Sequence, residues 1–166
     1  MLFLLDTNVL IDANRDYYAL DRVPEFWDWL VHFGTEGQVK IPIEILEEIA
    51  KGRDELAVWA RQAPVRTALL LGEHVEPNVV ARVTDEGYAS DLTDDEVVKI
   101  GRDPFLVAYA LVSSRDRCVV TTEGSRPRAQ RANRHLPDVC AQFGVRSINT
   151  FELIRTLDFR TGWKLK

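Results

Sequence analysis

Apolar and polar positions alternate in two rhythms along this chain. Short β-like runs stand at Leu2–Leu5, Gln38–Ile41, Cys118–Thr121 and Val145–Ile148. Runs this brief, bounded by polar turn formers, read as strands. Between them the apolar residues recur at helical spacing. Val23-Pro24-Glu25 opens a helix with the stripe Phe26, Trp27, Leu30 and Val31. That i, i+1, i+4, i+5 pattern marks one buried face. Ile43–Lys51 stays helical until Gly52, a residue that accepts the turn ending a helix. Asp54–Leu71 carries Leu56, Val58, Trp59, Leu69 and Leu70 and breaks at Pro64, which lacks a helical N–H. Thr93-Asp94-Asp95-Glu96 is a capping box opening another helix. Asp103-Pro104 starts the next, with Phe105, Leu106, Ala108, Tyr109 and Val112 as its apolar face, and a last helix follows Asn149-Thr150.

Strands that alternate with helices predict a three-layer α/β/α fold around a parallel sheet of four to five strands. The chain has no repeat, linker or low-complexity segment, so residues 1–166 read as one domain. In such sheets the chemistry lies beyond the carboxyl ends of the strands. Acids stand at those ends. Asp6 closes the first strand, Glu44, Glu47 and Glu48 follow the second, Glu123 follows the third, and Asp103 opens the helix before it. Asp6, one of the three glutamates, Asp103 and Glu123 are therefore expected to converge.

Convergent carboxylates need a counter-charge. Two unit charges about 4 Å apart repel by roughly 4 kcal/mol at an effective dielectric near 20. The tips of the first three strands carry no Lys or Arg. Mg²⁺ or Mn²⁺ suits carboxylate and water oxygens. Such an ion activates water for attack on a phosphate, alone or as one of a pair. Each acid also has a plain explanation. Asp6-Thr7-Asn8 makes a turn, Asp103-Pro104 makes an N-cap, and Glu123 sits in a turn. Two of the three glutamates are solvated helix charges on this reading. Asp91, Asp94, Asp95 and Glu96 form an exposed capping cluster.

Composition shifts this picture only locally. Net charge is −5 and the pI is near 5.3, which weighs against a generic nucleic-acid binder. A compact acidic site lowers the balance equally well. The stretch "GSRPRAQRANRH" runs the other way. Arg126, Arg128, Arg131 and Arg134 precede His135 with no acid between Gly124 and Leu136. Arginine pairs bidentately with phosphate, so these four are expected to lead a nucleic-acid backbone toward the acids. Their alternative is a solvated loop, and His135 reads as structural or exposed. Cys118 and Cys140 read as reduced core thiols of a cytoplasmic protein. The opening apolar run is too short for a signal peptide or a membrane span. Trp27 fits the core stripe. Trp29, two residues on, falls outside it and is open to base stacking or a partner.

Several motifs resemble a known family. "LLDTNVLID" resembles the opening of PIN-domain ribonucleases, where the first strand ends in Asp before Thr/Ser and Asn. "IPIEILEEIAKG" looks like the second element, a helical Glu followed by Ile or Leu and, four residues on, Gly. That register selects Glu48, with Ile49 and Gly52 in place. "DPFLVAYAL" resembles the third element and selects Asp103. "VVTTEG" looks like the fourth, with Glu123 where the family has Asp. The order is right over nearly the whole chain. "YY…FWDWL" is similar to the longer PIN-like proteins of bacteria and archaea.

The resemblance implies a Mg²⁺- or Mn²⁺-dependent endoribonuclease, often the toxin of a toxin–antitoxin pair of the VapC type, acting as a homodimer. Asp6, Glu48, Asp103 and Glu123 would be the metal-holding catalytic set, with Asn8, Thr121 and Thr122 orienting them. The extra methylene of Glu123 and the long segment from Gly52 to Thr93 depart from the family's pattern. Two other strand–Asp enzymes fit less well. A haloacid-dehalogenase-like phosphatase needs Asp at position 8, which is Asn, and a dinucleotide fold needs glycines after the first strand. The non-enzymatic rival is a PIN-like module that binds RNA or protein without cutting.

Overall fold

The computed structural model of the chain describes residues 1–165. Four parallel strands form one sheet among the described residues: β1 (Leu2–Leu5), β2 (Val39–Lys40), β3 (Arg117–Val120) and β4 (Arg146–Ile148), in the order β2-β1-β3-β4. Each strand lies within a residue or two of its sequence expectation. Beyond β2, Ile41 bridges Leu70, so the sheet edge gains a two-residue fringe rather than a fifth strand.

The sheet is buried on both faces because its two central strands, β1 and β3, are apolar at nearly every position. The period-2 pleat sends neighbours to opposite sides. Phe3, Leu5, Cys118 and Val120 face one core. Leu2, Leu4 and Val119 face the other. The first core is covered by α1 (Thr7–Asp12), α2 (Pro24–Thr35), α3 (Ile43–Ala50), α4 (Glu55–Ala60), α5 (Ala63–Leu69) and α10 (Thr150–Thr156). The second is covered by α6 (Pro77–Gly87), α7 (Asp94–Ile100), α8 (Asp103–Leu111) and α9 (Leu136–Gln142). This is the three-layer α/β/α arrangement.

Local chemistry fixes the helix ends. The expected break at Pro64 separates α4 from α5, and Pro64 lies in the first turn of α5, where its missing N–H costs nothing. The Thr93–Glu96 box is present in both directions, and Asn149–Glu152 forms a second one. Asp103 departs from its expected capping role. Arg102 occupies the N-cap of α8, and Asp103 is already helical. Its carboxylate is free to point elsewhere.

Trp29 is also not where its spacing suggested. It is 1% exposed, so it offers no base a stacking face. The chain after α10 returns over α2. Phe159 packs on Phe26 and Trp29, and the Trp29 indole donates to Leu157 O at 3.4 Å. Trp163 donates to Glu25 O at 3.0 Å. With Trp27 packed on Trp59, α2 is covered on both flanks. A distant segment supplies the second covering, and no local periodicity encodes it.

Candidate functional site

Asp6 follows β1, at the end where the strand's last paired residue is Leu5 opposite Val120. It occupies the N-cap position of α1 without a side-chain cap. Its carboxylate turns across the strand gap instead, where Thr121 Oγ1 donates to Asp6 Oδ2 at 2.8 Å. Asp6 is 4% exposed. Burial raises its carboxyl to about 6; the Thr121 hydrogen bond opposes this, and Glu123 adds to the rise.

Asp103 stands at the first turn of α8, a helix apolar around its whole circumference. Tyr88 donates to Asp103 Oδ2 at 3.3 Å. Burial, followed by repulsion from Asp6 and Glu123, lifts the Asp103 carboxyl to about 8. Glu48 contributes to the same repulsion. These shifts place the four groups in one electrostatic unit.

The three glutamates of α3 separate in space. Glu47 pairs with Arg66 at 3.0 Å. Glu44 lies beside the Tyr109 hydroxyl. Glu48 alone of the three turns into the cleft that also holds Asp6, Asp103 and Glu123, a space of about 430 Å³. Thr7 Oγ1 donates to Glu48 Oε2 at 2.9 Å. Glu123 reaches further than an Asp would. Its Oε2 accepts from Leu136 N at 2.7 Å, at the start of α9.

The expected orienting residues divide. Thr121 bonds Asp6 and also receives Glu123 N at 3.2 Å. Asn8 lines the cleft. Thr122 has no hydrogen bond among the described residues. Thr7 and Tyr88 take up orienting roles that the sequence reading missed. The Asp-Thr-Asn triplet held the signal for Thr7. Tyr88 lies in the segment before Thr93, whose packing no motif announced. Asp95 is exposed and lines none of the described clefts.

The arginines divide as well. Arg131 is clamped by Glu96 and Asp91 at 2.7 and 2.6 Å. Arg134 donates to Gln142 at 2.6 Å and to Gly87 O. Arg126 and Arg128 keep their guanidinium groups without hydrogen-bond or ion-pair partners among the described residues, and both border one shallow depression.

The four acids have no Lys or Arg ion pair among the described residues; the nearest cationic candidate is His135, 4.0 Å from Glu123. Nor, among the described residues, do three or more His, Cys, Asp or Glu side chains already stand arranged to ligate one metal ion. Each carboxylate leans on its own local donor. In kind the set still fits a hard divalent cation: all oxygen, not ion-paired to Lys or Arg among the described residues, and lining one open cleft that Lys99 and Arg102 also border.

A family model described as "Domain of unknown function (DUF4411)" matches residues 3–161, and the chain belongs to that family. Comparisons with curated proteins and with solved structures each return no match. Among the described residues no helix is long and apolar enough to cross a membrane.

Proposed function

We propose that this member of the DUF4411 family is a metal-dependent endoribonuclease, with Asp6, Glu48, Asp103 and Glu123 as its acid centre. One observation carries the reading. Four carboxylates from four separate elements line one cleft at the carboxyl edge of a parallel sheet, with no Lys or Arg paired to any of them among the described residues. Such an arrangement costs stability and is retained where function needs it. The resemblance of "LLDTNVLID" and "DPFLVAYAL" to PIN-domain motifs supports RNA as the substrate, the toxin half of a toxin–antitoxin pair as the setting, and a homodimer as the working form.

Asp6, Glu48, Asp103 and Glu123 would hold Mg²⁺ or Mn²⁺. Bound there, such an ion polarises the scissile phosphate and lowers the pKa of a coordinated water. The chain's own groups do the rest. Thr121 and Thr7 fix Asp6 and Glu48, and Tyr88 fixes Asp103. Asn8, exposed at the mouth, is positioned to orient water or substrate.

The test is cleavage of a mixed structured-RNA pool with Mg²⁺ or Mn²⁺, with chelator, and with Asp103→Asn. Cleavage should require both the ion and Asp103. Activity that survives in Asp6→Asn and Asp103→Asn overturns the assignment. One observation favours a second reading. Glu123 Oε2 is engaged at the start of α9, which suits a weakly active or non-cutting RNA-binding module. Metal titration by calorimetry separates the two, because a binding module needs no divalent ion at these acids.

A further inference from the structure

A second cleft of about 280 Å³ shares Lys99, Ile100, Asp103 and Glu123 with the acid cleft and adds the basic side chains of Arg126 and Arg134. Lys99 reaches it from α7, Asn133 from the 3₁₀ turn Arg131–Asn133, and Arg126 and His135 from the loop around that turn. We propose that this second cleft is a phosphate subsite, in which Lys99 and Arg126 grip a substrate phosphate next to the one at the acid centre. The proposal rests on the phosphodiester substrate proposed above and adds the groups that hold it.

Three features support it. First, both cations lack a carboxylate partner among the described residues. Lys99 Nζ donates to the neutral Asn133 Oδ1 at 2.6 Å. The Arg126 guanidinium has no partner among the described residues, although its backbone N–H is pinned to Asp138 Oδ2 at 2.7 Å. If these two groups existed to screen the acids, they would pair with Asp103 or Glu123, and they do not.

Second, the wall is fixed in advance. Arg131 takes a positive φ of 53°, a conformation that side-chain-bearing residues seldom adopt. Its guanidinium is bound to Glu96 through two hydrogen bonds and to Asp91 through two more. Glu96 belongs to α7, the helix that carries Lys99. The clamp therefore ties the Asn133 turn to the Lys99 helix. Preorganised donors lose little freedom when a ligand arrives.

Third, the balance of charge shifts across Asp103 and Glu123: the acid cleft adds Asp6, Glu48 and Asp54 against Arg102, and the second cleft adds Arg126, Arg134 and His135. The acid side attracts cations and the basic side attracts anions. A strand of linked phosphates crossing that boundary meets both. Arg134 and His135 line the basic side, but both are engaged. Arg134 bonds Gln142 and Gly87, and His135 Nδ1 lies 2.7 Å from Gly124 O. Lys99 and Arg126 remain as the binding pair.

The experiment uses the full chain in chelator, so that it reads binding and not cleavage. Inorganic phosphate is titrated first and followed by amide chemical shifts. The same single-stranded RNA with a 5′-phosphate or a 5′-hydroxyl is titrated next. Lys99→Gln and Arg126→Gln are the variants, and Arg22→Gln is the charge control. Phosphate should move the Arg126 and Asn133 amides, and each variant should weaken RNA binding about tenfold, the usual scale of one charge-assisted contact. A preference for the 5′-phosphorylated strand that disappears in the variants assigns the site to a terminal phosphate. Equal weakening of both strands assigns it to an internal one. If phosphate moves no resonance in the cleft, or the variants bind RNA as tightly as the control, the proposal fails. If binding behaves as expected but no metal-dependent cleavage is found, the subsite stands and the nuclease reading falls.

Discussion

Asp103 carries the largest electrostatic strain of the four acids. Its carboxyl is raised to about 8 from an ordinary value near 4, chiefly by burial. A raised carboxyl keeps its proton in the folded state after the unfolded state has lost it. Stability is therefore greatest below the unfolded pKa and declines as pH rises from about 4 to about 8. Asp6, raised to about 6, acts in the same direction over a narrower window. In chelator, the melting temperature should fall across this range. Asp103→Asn is neutral throughout, so it should flatten the fall and melt higher than the native chain at pH 8. A parallel pH profile for the two proteins would show that Asp103 bears no such load. Thr121→Val removes the hydroxyl that serves Asp6 and Glu123. It should cost about 1–2 kcal/mol in chemical denaturation.

At the scale of elements, helix packing decides more than helix propensity. Gly34 in α2 has no room for a Cβ. An added one would meet Leu69 Cδ2 at 2.6 Å and Ala68 O at 2.9 Å. Gly34→Ala should destabilise the chain by about 1–3 kcal/mol, measured as a shift in the denaturation midpoint, even though alanine is the better helix former. β1 and β3 were legible because unbroken apolar runs of three or four residues have few other uses. The capping boxes were legible because their spacing is the mechanism itself. Three α-helices were not read, for different reasons. α1 follows β1 so closely that Asp6-Thr7-Asn8 read as a turn. α6 carries Val79, Val80 and Val83 on an otherwise polar segment, and only contact with α8 makes that stripe meaningful. α9 begins directly behind the arginine stretch, where charge rather than periodicity drew attention. The same stretch shows how far composition reaches. It located a basic edge, but Arg131 and Arg134 spend their charge inside the protein, and Lys99, from another element, joins Arg126 in their place.

At the scale of the whole molecule, two cores and one returning tail hold the site edge in place. The tail buries aromatic surface that α2 cannot bury alone. Phe159→Ala should cost about 2 kcal/mol, less than a fully buried phenylalanine because Phe159 is only partly covered. Calorimetric unfolding would report it, and Trp29 fluorescence should shift red as water reaches the indole. Loss of stability without a change at Trp29 would place the tail's contribution elsewhere.

The strand order also says when the site can exist. Asp6 and Thr121 are hydrogen-bonded neighbours separated by 115 residues, and β1 is flanked by strands made much later. During synthesis the first acid waits, unmatched, until β3 has emerged and paired with it. Local contacts close quickly and such distant ones close slowly. Asp6 and Glu123 are thus brought together only once β3 has paired with β1. A growing chain that ends before Glu123 therefore has no complete acid cluster.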